Sequence, residues 1–188
     1  MLYAWTEPKF CPQCGTRLIA KVPEGDHRER TVCPGCAYIY YVGPKVAAGT
    51  VPVRDGRTYL VRRGVEPGRG LWSFPCGYME LDETLSGAAA RETREETGLD
   101  VRILSMLGIY TYPAPDQHIR VVVAAYLAEV VAGVPAASDD VVEVQAFRPE
   151  EIPWTGLAFH SSHAALRQWI ALQHPAYVPP PHRFPGDY

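Results

Sequence analysis

Four of the chain's five cysteines form two closely spaced pairs, and this pattern constrains the fold of the N-terminal segment. Each pair has the spacing C-x₂-C and eighteen residues separate the pairs, which fits the spacing C-x₂-C-x₁₅₋₂₀-C-x₂-C of zinc sites. The four residues are Cys11, Cys14, Cys33 and Cys36. Two such turns can direct four thiolates at one ion, which predicts a closed tetrahedral zinc site with a structural role. Two disulfides, or redox-active cysteine pairs, are alternatives that the spacing leaves open.

The composition along the chain predicts three parts. Residues 1–42 are expected to form a small zinc ribbon, because the segment between the cysteine pairs is too polar to carry a core. Residues 43–174 start at a Gly-Pro joint and contain strand-like runs together with two helical stretches. Residues 175–188 are proline-rich and are expected to form an extended tail.

The middle part predicts an α/β sandwich with a mixed β-sheet. Two strand-like runs flank Gly56, which is expected in a tight turn, and three further strand-like runs follow residue 100. One helix is predicted to begin with Asp82 as its N-cap and to end at Gly98. A final helix is expected over residues 160–173.

Three glutamates are crowded into RETREETG, residues 91–98. On a helix, Glu92 shares a face with both Glu95 and Glu96, and each pair repels by roughly 0.2–0.5 kcal/mol. Carboxylates near a helix C-terminus also oppose the helix dipole. Bound Mg²⁺ or Mn²⁺ would remove this conflict, since these ions bind carboxylates together with substrate phosphates. A solvated helix end explains the eight residues alone equally well.

The residues around this segment resemble the Nudix box, G-x₅-E-x₇-R-E-U-x-E-E-x-G-U, in which U is aliphatic. Gly77, Glu83 and the run RETREETGL match the pattern at every fixed position but one, where Thr93 replaces an aliphatic residue. The resemblance implies a Nudix α/β/α sandwich with a mixed sheet, preceded here by the zinc ribbon. It also implies an enzyme, a hydrolase of a nucleoside diphosphate linked to another group. Thr93 would alter the packing of the helix rather than the chemistry.

The same resemblance implies roles for the matching residues. Three carboxylates would bind catalytic Mg²⁺ or Mn²⁺ or position the attacking water: Glu92, Glu95 and Glu96. Arg91 would orient them, and Glu83 would brace the preceding loop and could join the metal shell. The backbone carbonyl of Gly77 could also bind the metal. Which glutamate acts as the general base is left open.

Two branches of the family join a zinc ribbon to a Nudix domain. NADH pyrophosphatases and NAD-decapping enzymes carry S-Q-P-W-P-F-P shortly after the box, and the corresponding LGIYTYPAPDQHIR lacks it. The segments VCPGCAYIYYVGPKVAAGTV and AFRPEEIPWTGLAF are instead similar to the plant chloroplast FAD pyrophosphatase and its bacterial relatives. This similarity implies that FAD, ADP-ribose or a related dinucleotide is cleaved to AMP and the other phosphate. The alternatives are an NADH pyrophosphatase or NAD-decapping enzyme, and a nucleotide-sensing Nudix module without catalysis.

Four residues outside the metal site are candidates for substrate binding: Arg62, Arg63, Tyr78 and Glu143. The arginines end a strand beside the box and could hold phosphate, or they could be ordinary surface charges. Tyr78 could stack on a base, as could four neighbouring aromatic residues, although buried aromatics usually belong to the core. Those neighbours are Trp72, Phe74, Tyr110 and Tyr112. Glu143 could be a late acidic ligand or base, or an exposed strand residue, and Cys76 is interpreted as a semi-buried thiol.

Charge and hydropathy restrict the partners and the location. The net charge of −3 and the pI of about 6.1 argue against broad binding of nucleic acid, although capped RNA stays open as a substrate. No apolar run approaches the roughly 18 residues of a membrane span, and the N-terminus does not read as a secretory signal. A cytoplasmic enzyme of small nucleotides is therefore expected, and the resemblance to ADP-ribose-type Nudix enzymes implies that it could be a homodimer.

Overall fold

The N-terminal part of the protein is a small antiparallel sheet in a computed structural model that describes residues 8–113, 120–138 and 140–181. Its strands are β1 (Ile19–Lys21), β2 (Arg30–Val32) and β3 (Ile39–Tyr40), in the order β1-β2-β3. The core of this part comprises Cys11, Leu18 and Cys33, with Tyr38 packed against them. Two of its three core residues are thus cysteines of the predicted metal site. The first seven residues of the predicted ribbon lie outside the described chain.

A mixed sheet of seven strands forms the body of the molecule. Its central path has the order β10-β5-β4-β9-β8, with β6 on β5 and β7 on β4. The pairing of β4 with β9 is parallel and the other pairings are antiparallel, which confirms the predicted mixed sheet. The strands are β4 (Lys45–Arg54), β5 (Arg57–Arg63), β6 (Trp72–Ser73), β7 (Cys76–Tyr78), β8 (Leu99–Pro113), β9 (Arg120–Gly133) and β10 (Val141–Phe147).

The turn between β4 and β5 follows from its two central residues. Asp55 and Gly56 have φ values of 52° and 71°, both in the left-handed region. An Asp-Gly pair with two positive φ values is typical of a two-residue hairpin turn, whose twist matches that of the flanking strands. The predicted tight turn at Gly56 is confirmed.

Two helices cover opposite faces of the sheet. Helix α1 (Leu85–Thr97) contributes Ala88 and Ala89 to a cluster with Ala48 of β4. Helix α2 (His160–Gln173) packs into the larger cluster, which includes Ala47, the residue next to Ala48. Because successive strand residues point to opposite faces, the two clusters lie on opposite sides of β4. The predicted α/β/α sandwich is confirmed, and no helix among the described residues has the length and apolar character to cross a membrane.

The ends of the helices test the sequence-based boundaries. The prediction of Asp82 as N-cap is wrong: the cap is Thr84, which has extended backbone angles and accepts a hydrogen bond from the Gly87 N–H at 3.1 Å. Gly98 has a φ of 69° and donates its N–H to the Arg94 carbonyl at 2.8 Å, as predicted for the C-terminal glycine. The last helix spans His160–Gln173, as expected.

Beyond α2, the described part of the chain has no regular helix or strand up to residue 181. Tyr177 packs against the larger core, and Arg167 donates a hydrogen bond to the Pro180 carbonyl. The rest of the predicted proline-rich tail, residues 182–188, lies outside the described residues.

Candidate functional site

Helix α1 lies close to the centre of the sheet because the residues between them are small. Ala48, Ala88 and Ala89 are all fully buried. Thr93, the departure from the aliphatic position, is also fully buried and faces Thr50 of β4, with 2.7 Å between the two hydroxyl oxygens. Thr93 donates its proton to the Ala89 carbonyl at 2.7 Å, so Thr50 must be the donor to Thr93. The buried hydroxyl therefore has partners for both its donor and its acceptor function.

Arg91 joins the acidic residues into one network. Its Nε and Nη2 donate to the two carboxylate oxygens of Glu83 at 2.6 and 2.9 Å. Its Nη1 donates to Glu92 at 2.7 Å and to Glu95 at 2.8 Å. Nη2 also donates to the Tyr78 carbonyl at 3.1 Å. One guanidinium thus fixes α1 to the preceding loop and to the end of β7.

Glu83 is the carboxylate that this network stabilises most clearly. Its hydrogen bonds from Arg91, supplemented by one from the Glu80 N–H at 2.9 Å, lower its pKa to about 2. Glu83 is therefore ionised throughout the neutral range, and its geometry fits a brace for the loop that leads into α1.

Gly77 lies where the chain has no room for a side chain. It pairs with Ala48 in the β4–β7 ladder, and a Cβ added to it would collide with the carboxylate of Glu92. The glycine thus allows the backbone of β7 to approach the carboxylate closely, which is one of the ordinary uses of glycine in binding sites.

The three glutamates of α1 have different environments. Glu95 has 59% of its side chain exposed and is held by Arg91, whereas Glu92 has 14% exposed and its pKa is raised, chiefly by burial. Glu96 accepts a hydrogen bond from the Cys76 N–H at 3.0 Å. Burial raises the pKa of Glu96 to about 7 despite that bond, and the charge of Glu92 adds to the effect. Crowded, partly desolvated carboxylates of this kind favour a bound cation or a proton.

The donor set suits a hard divalent cation, because these side chains offer oxygen ligands alone. Arg91 bridges Glu92 and Glu95, whereas Glu96 is bound by the Cys76 N–H. Among the described residues, the cysteine quartet alone brings three or more ligand atoms within 4.8 Å of one another.

The two adjacent arginines, both candidates for phosphate binding, face different surroundings. Arg62 donates its Nε to the Gly70 carbonyl at 2.9 Å and lies 3.6 Å from the Glu143 carboxylate on the neighbouring strand. Arg63 donates its Nε to the Pro67 carbonyl at 2.7 Å, and its charge acts on Glu96. The structure therefore brings Arg63 to the glutamates and pairs Glu143 with Arg62 instead.

The aromatic candidates also divide into two groups. Phe74 is 2% exposed and Trp72 packs edge-on against Phe147 at 5.0 Å, so both belong to the core. Tyr78 is 54% exposed beside the carboxylates, with the Lys45 ammonium 5.6 Å from its ring centre. Tyr112 stacks on Phe159 at 6.1 Å and Tyr110 packs edge-on against His160. Tyr110 and Tyr112 therefore pack between β8 and the start of α2, partly buried against the larger core.

Sequence reasoning missed three residues that contact or influence these candidate groups. Phe159 precedes α2 and carries both the Tyr112 ring and the Arg63 guanidinium, and Ser161 hydrogen-bonds Tyr112. Asp140, just before β10, lies near enough for its charge to raise the pKa of Glu96. No local pattern marks these residues, although Glu143, the predicted late acidic residue, lies only three positions after Asp140.

The four cysteines lie together at the ribbon, as predicted. The Sγ–Sγ distances are 3.7 Å for Cys11–Cys36, 3.4 Å for Cys14–Cys33 and 3.5 Å for Cys14–Cys36. These distances are far longer than a disulfide bond of about 2.05 Å and close to the edge of about 3.8 Å that a tetrahedron with Zn–S bonds of about 2.3 Å would have. The cluster is therefore built as a four-thiolate metal site.

Two family models match this chain over most of its length. The model described as NUDIX domain matches residues 43–171. A zinc-ribbon model described as Nudix N-terminal matches residues 9–42.

Individual relatives give the same result. The ADP-ribose pyrophosphatase of Methanocaldococcus jannaschii is 33% identical over 116 residues, which cover 62% of this chain and 69% of that protein. The NAD-capped RNA hydrolase NudC of Pseudomonas aeruginosa is 29% identical over 147 residues, 77% of this chain, and this chain spans about half (49%) of its length. The crystal structure of a NUDIX hydrolase from Nitrosomonas europaea superposes with a TM-score of 0.82 at 36% identity, covering 92% of this chain and 96% of that one.

Proposed function

Because the chain belongs to the Nudix hydrolase family, we propose that it cleaves a nucleoside diphosphate linked to a second group, with the help of Mg²⁺ or Mn²⁺. FAD, ADP-ribose and related dinucleotides are the substrate class, and AMP and the other phosphate are the products. The observation that carries this proposal is the complete acidic network around Arg91. The intact set of Glu83, Arg91, Glu92, Glu95 and Glu96 argues against a nucleotide-binding module without catalysis.

The proposed metal ligands are Glu92, Glu95 and Glu96, with the Gly77 carbonyl. A divalent cation bound there would neutralise phosphate charge and acidify a water molecule. Glu83 and Arg91 would keep the ligands in position, since each is held by several hydrogen bonds.

Glu96 is the strongest candidate for accepting the proton of the attacking water. In the metal-free protein, burial raises the pKa of Glu96 to about 7, so this carboxylate takes up a proton more readily than an exposed glutamate. Its Oε2 accepts the Cys76 N–H, so Oε1 is the atom that would bind the cation or take the proton.

For the ribbon we propose Zn²⁺ as the bound ion, in a purely structural role. Four thiolates at the edge lengths of a tetrahedron leave no open coordination position for a substrate. Cys76 lies at the other site, and its pKa is raised by burial and by Glu96, so it is a poor metal ligand and a poor nucleophile.

The test is hydrolysis of a substrate panel by the full chain with Mg²⁺ or Mn²⁺. The panel contains FAD, ADP-ribose, NADH and NAD-capped RNA, with AMP and decapped RNA as the products measured. We expect AMP from FAD or ADP-ribose. Cleavage of capped RNA alone would favour the decapping alternative, and turnover of no substrate would refute the enzymatic proposal.

Three further points belong to the same proposal. We divide the chain into a ribbon (1–42), a Nudix domain (43–174) and a tail (175–188), place the enzyme in the cytoplasm, and expect a homodimer. Light scattering after size exclusion would test the dimer, and a molar mass near the 20.8 kDa of one chain would refute it.

A further inference from the structure

We propose that Arg63 binds substrate phosphate: its guanidinium contacts the phosphoryl oxygens of the diphosphate beside Glu96. This inference rests on the proposed function and deepens it, because it assigns the site a cation supplied by the protein in addition to the metal. It also selects one of two adjacent arginines that the sequence could not distinguish.

The guanidinium of Arg63 is held rigidly on two sides. Its Nε donates to the Pro67 carbonyl at 2.7 Å, and its Cζ lies 5.0 Å from the ring centre of Phe159. The hydrogen bond and the ring contact together restrict the orientation of the side chain. Phe159 is itself stacked on Tyr112. The position of Arg63 is therefore set before any ligand binds, which reduces the entropy cost of binding.

The two terminal nitrogens of Arg63 are left available. Within the described residues, neither Nη donates a hydrogen bond to a protein acceptor, and no carboxylate lies within 4.0 Å of the side-chain nitrogens. Arg91, by contrast, uses all three of its nitrogens for protein acceptors. A partly buried guanidinium with a free pair of donors is suited to two oxygens of one phosphate.

The positive charge of Arg63 lies near enough to the acidic cluster to affect it. It acts on Glu96, on the Cys76 thiol and on the Tyr112 hydroxyl, and in each case it opposes the rise in pKa that burial causes. A phosphate held by cations at Glu96 would therefore lie in the field of Arg63. Negative charge arriving with the substrate would meet a fixed positive group rather than a flexible one.

Arg62 provides a matched control on the same strand. It carries the same side chain and also holds the following loop, through the Gly70 carbonyl at 2.9 Å. Its charge is partly neutralised by Glu143 at 3.6 Å. A loss of affinity that arises only from loosening the loop should appear when either arginine is replaced. A loss of phosphate binding should appear only when Arg63 is replaced.

The experiment compares R63Q, R63K and R62Q with the unchanged protein, using α,β-methylene-ADP with Mg²⁺ as a non-hydrolysable probe. We expect R63Q to raise the Kd by about 10- to 100-fold, as for loss of a hydrogen-bonded charge pair, and R62Q to change it less than about threefold. R63K should fall between them, because lysine keeps the charge but lacks the paired donors. The KM for ADP-ribose should rise in the same order, with a smaller change in kcat.

Equal Kd values for R63Q and R62Q would overturn the inference, as would the absence of probe binding by the unchanged protein. Thermal midpoints measured alongside identify a structural effect. Such an effect would lower the midpoint of R63Q, and R63Q and R63K would then have the same Kd. If the unchanged protein binds the probe but cleaves none of the panel, the proposed function fails, while the Kd comparison still decides the role of Arg63.

Discussion

The two regions for which we propose metal binding are organised in opposite ways. In the ribbon, four thiolates converge within 4.8 Å on turns that are otherwise poor in core residues. In the Nudix domain, the carboxylates lie on a helix that is packed on a large sheet, where Arg91 and the Cys76 N–H already bind them. The ribbon, with its small core, is therefore expected to depend on a bound metal for its order, whereas the larger domain has an extensive core of its own. A structural ion and an exchangeable catalytic ion thus require different degrees of preformed geometry.

Loss of the ribbon's metal should have the largest effect on folding, and we expect this effect in the ribbon alone. Cys33→Ser removes a buried ligand, and structural zinc contributes roughly 10 kcal/mol to the folding of such small domains. We expect loss of zinc and of amide protection in the ribbon, while the larger domain keeps its thermal transition. Metal analysis and hydrogen exchange would measure this, with Cys76→Ser as a control that retains zinc. A zinc-loaded, fully protected Cys33→Ser ribbon would contradict the comparison.

Glu96→Gln should act in the opposite way, on chemistry rather than on folding. The amide keeps an oxygen for the Cys76 N–H but cannot accept a proton from water, so we expect kcat to fall by roughly 10²–10⁴ with little change in thermal midpoint. Glu143→Gln is the matched control, since that carboxylate pairs with Arg62. A Glu96→Gln enzyme that turns over normally would refute the assignment of this carboxylate.

Gly77→Ala tests how closely the catalytic ligands are positioned. The added methyl group would displace the carboxylate of Glu92, which is the mobile end of a side chain and can move at small cost in stability. We expect kcat to fall by about 10- to 100-fold, since small displacements of catalytic groups have effects of that size. Gly43→Ala, where an added Cβ meets nothing within 4 Å, serves as the control. Equal activity of both variants would show that the close approach at Gly77 is not needed.

The smallest expected effect concerns pH in buffer free of Mg²⁺ and Mn²⁺. The pKa of Glu96 is raised from 4.5 to about 7 in the folded state, so its ionisation is opposed by folding between those values. The unfolding free energy should therefore fall by about 1–2 kcal/mol as pH rises from 4.5 to 7, and Glu96→Gln should remove this slope. Glu83, with its lowered pKa, contributes stability above pH 4.5 that is lost as the pH falls toward 2. Denaturant titrations across this range measure both, and an unchanged slope in Glu96→Gln would contradict the explanation.

The sequence was sufficient wherever residues that act together are also close along the chain. The spacing of the cysteines and the spacing from Gly77 to Gly98 depend on single turns and one helix, so a linear pattern captures them. The N-cap was misplaced by two residues, because Asp82 and Thr84 are both good caps and the backbone selects between them.

Linear sequence patterns could not predict contacts between distant segments. Arg62 and Arg63 look alike in sequence, and only the position of Phe159 and Glu143 in the folded chain separates their surroundings. Asp140 affects Glu96 through space, from a different segment of the molecule. The branch of the family and the preferred substrate stay predictions for the same reason, since the candidate substrate-binding residues come from several segments.

The paired hydroxyls of Thr50 and Thr93 have a consequence for engineering and for evolution. They are 43 positions apart and form one buried polar contact between the sheet and the catalytic helix. Replacing Thr93 alone with the usual aliphatic residue would leave Thr50 without its acceptor in an apolar layer, so the two positions should be exchanged together. A catalytic helix transplanted from a relative into this scaffold would therefore have to bring its own partner residue on β4.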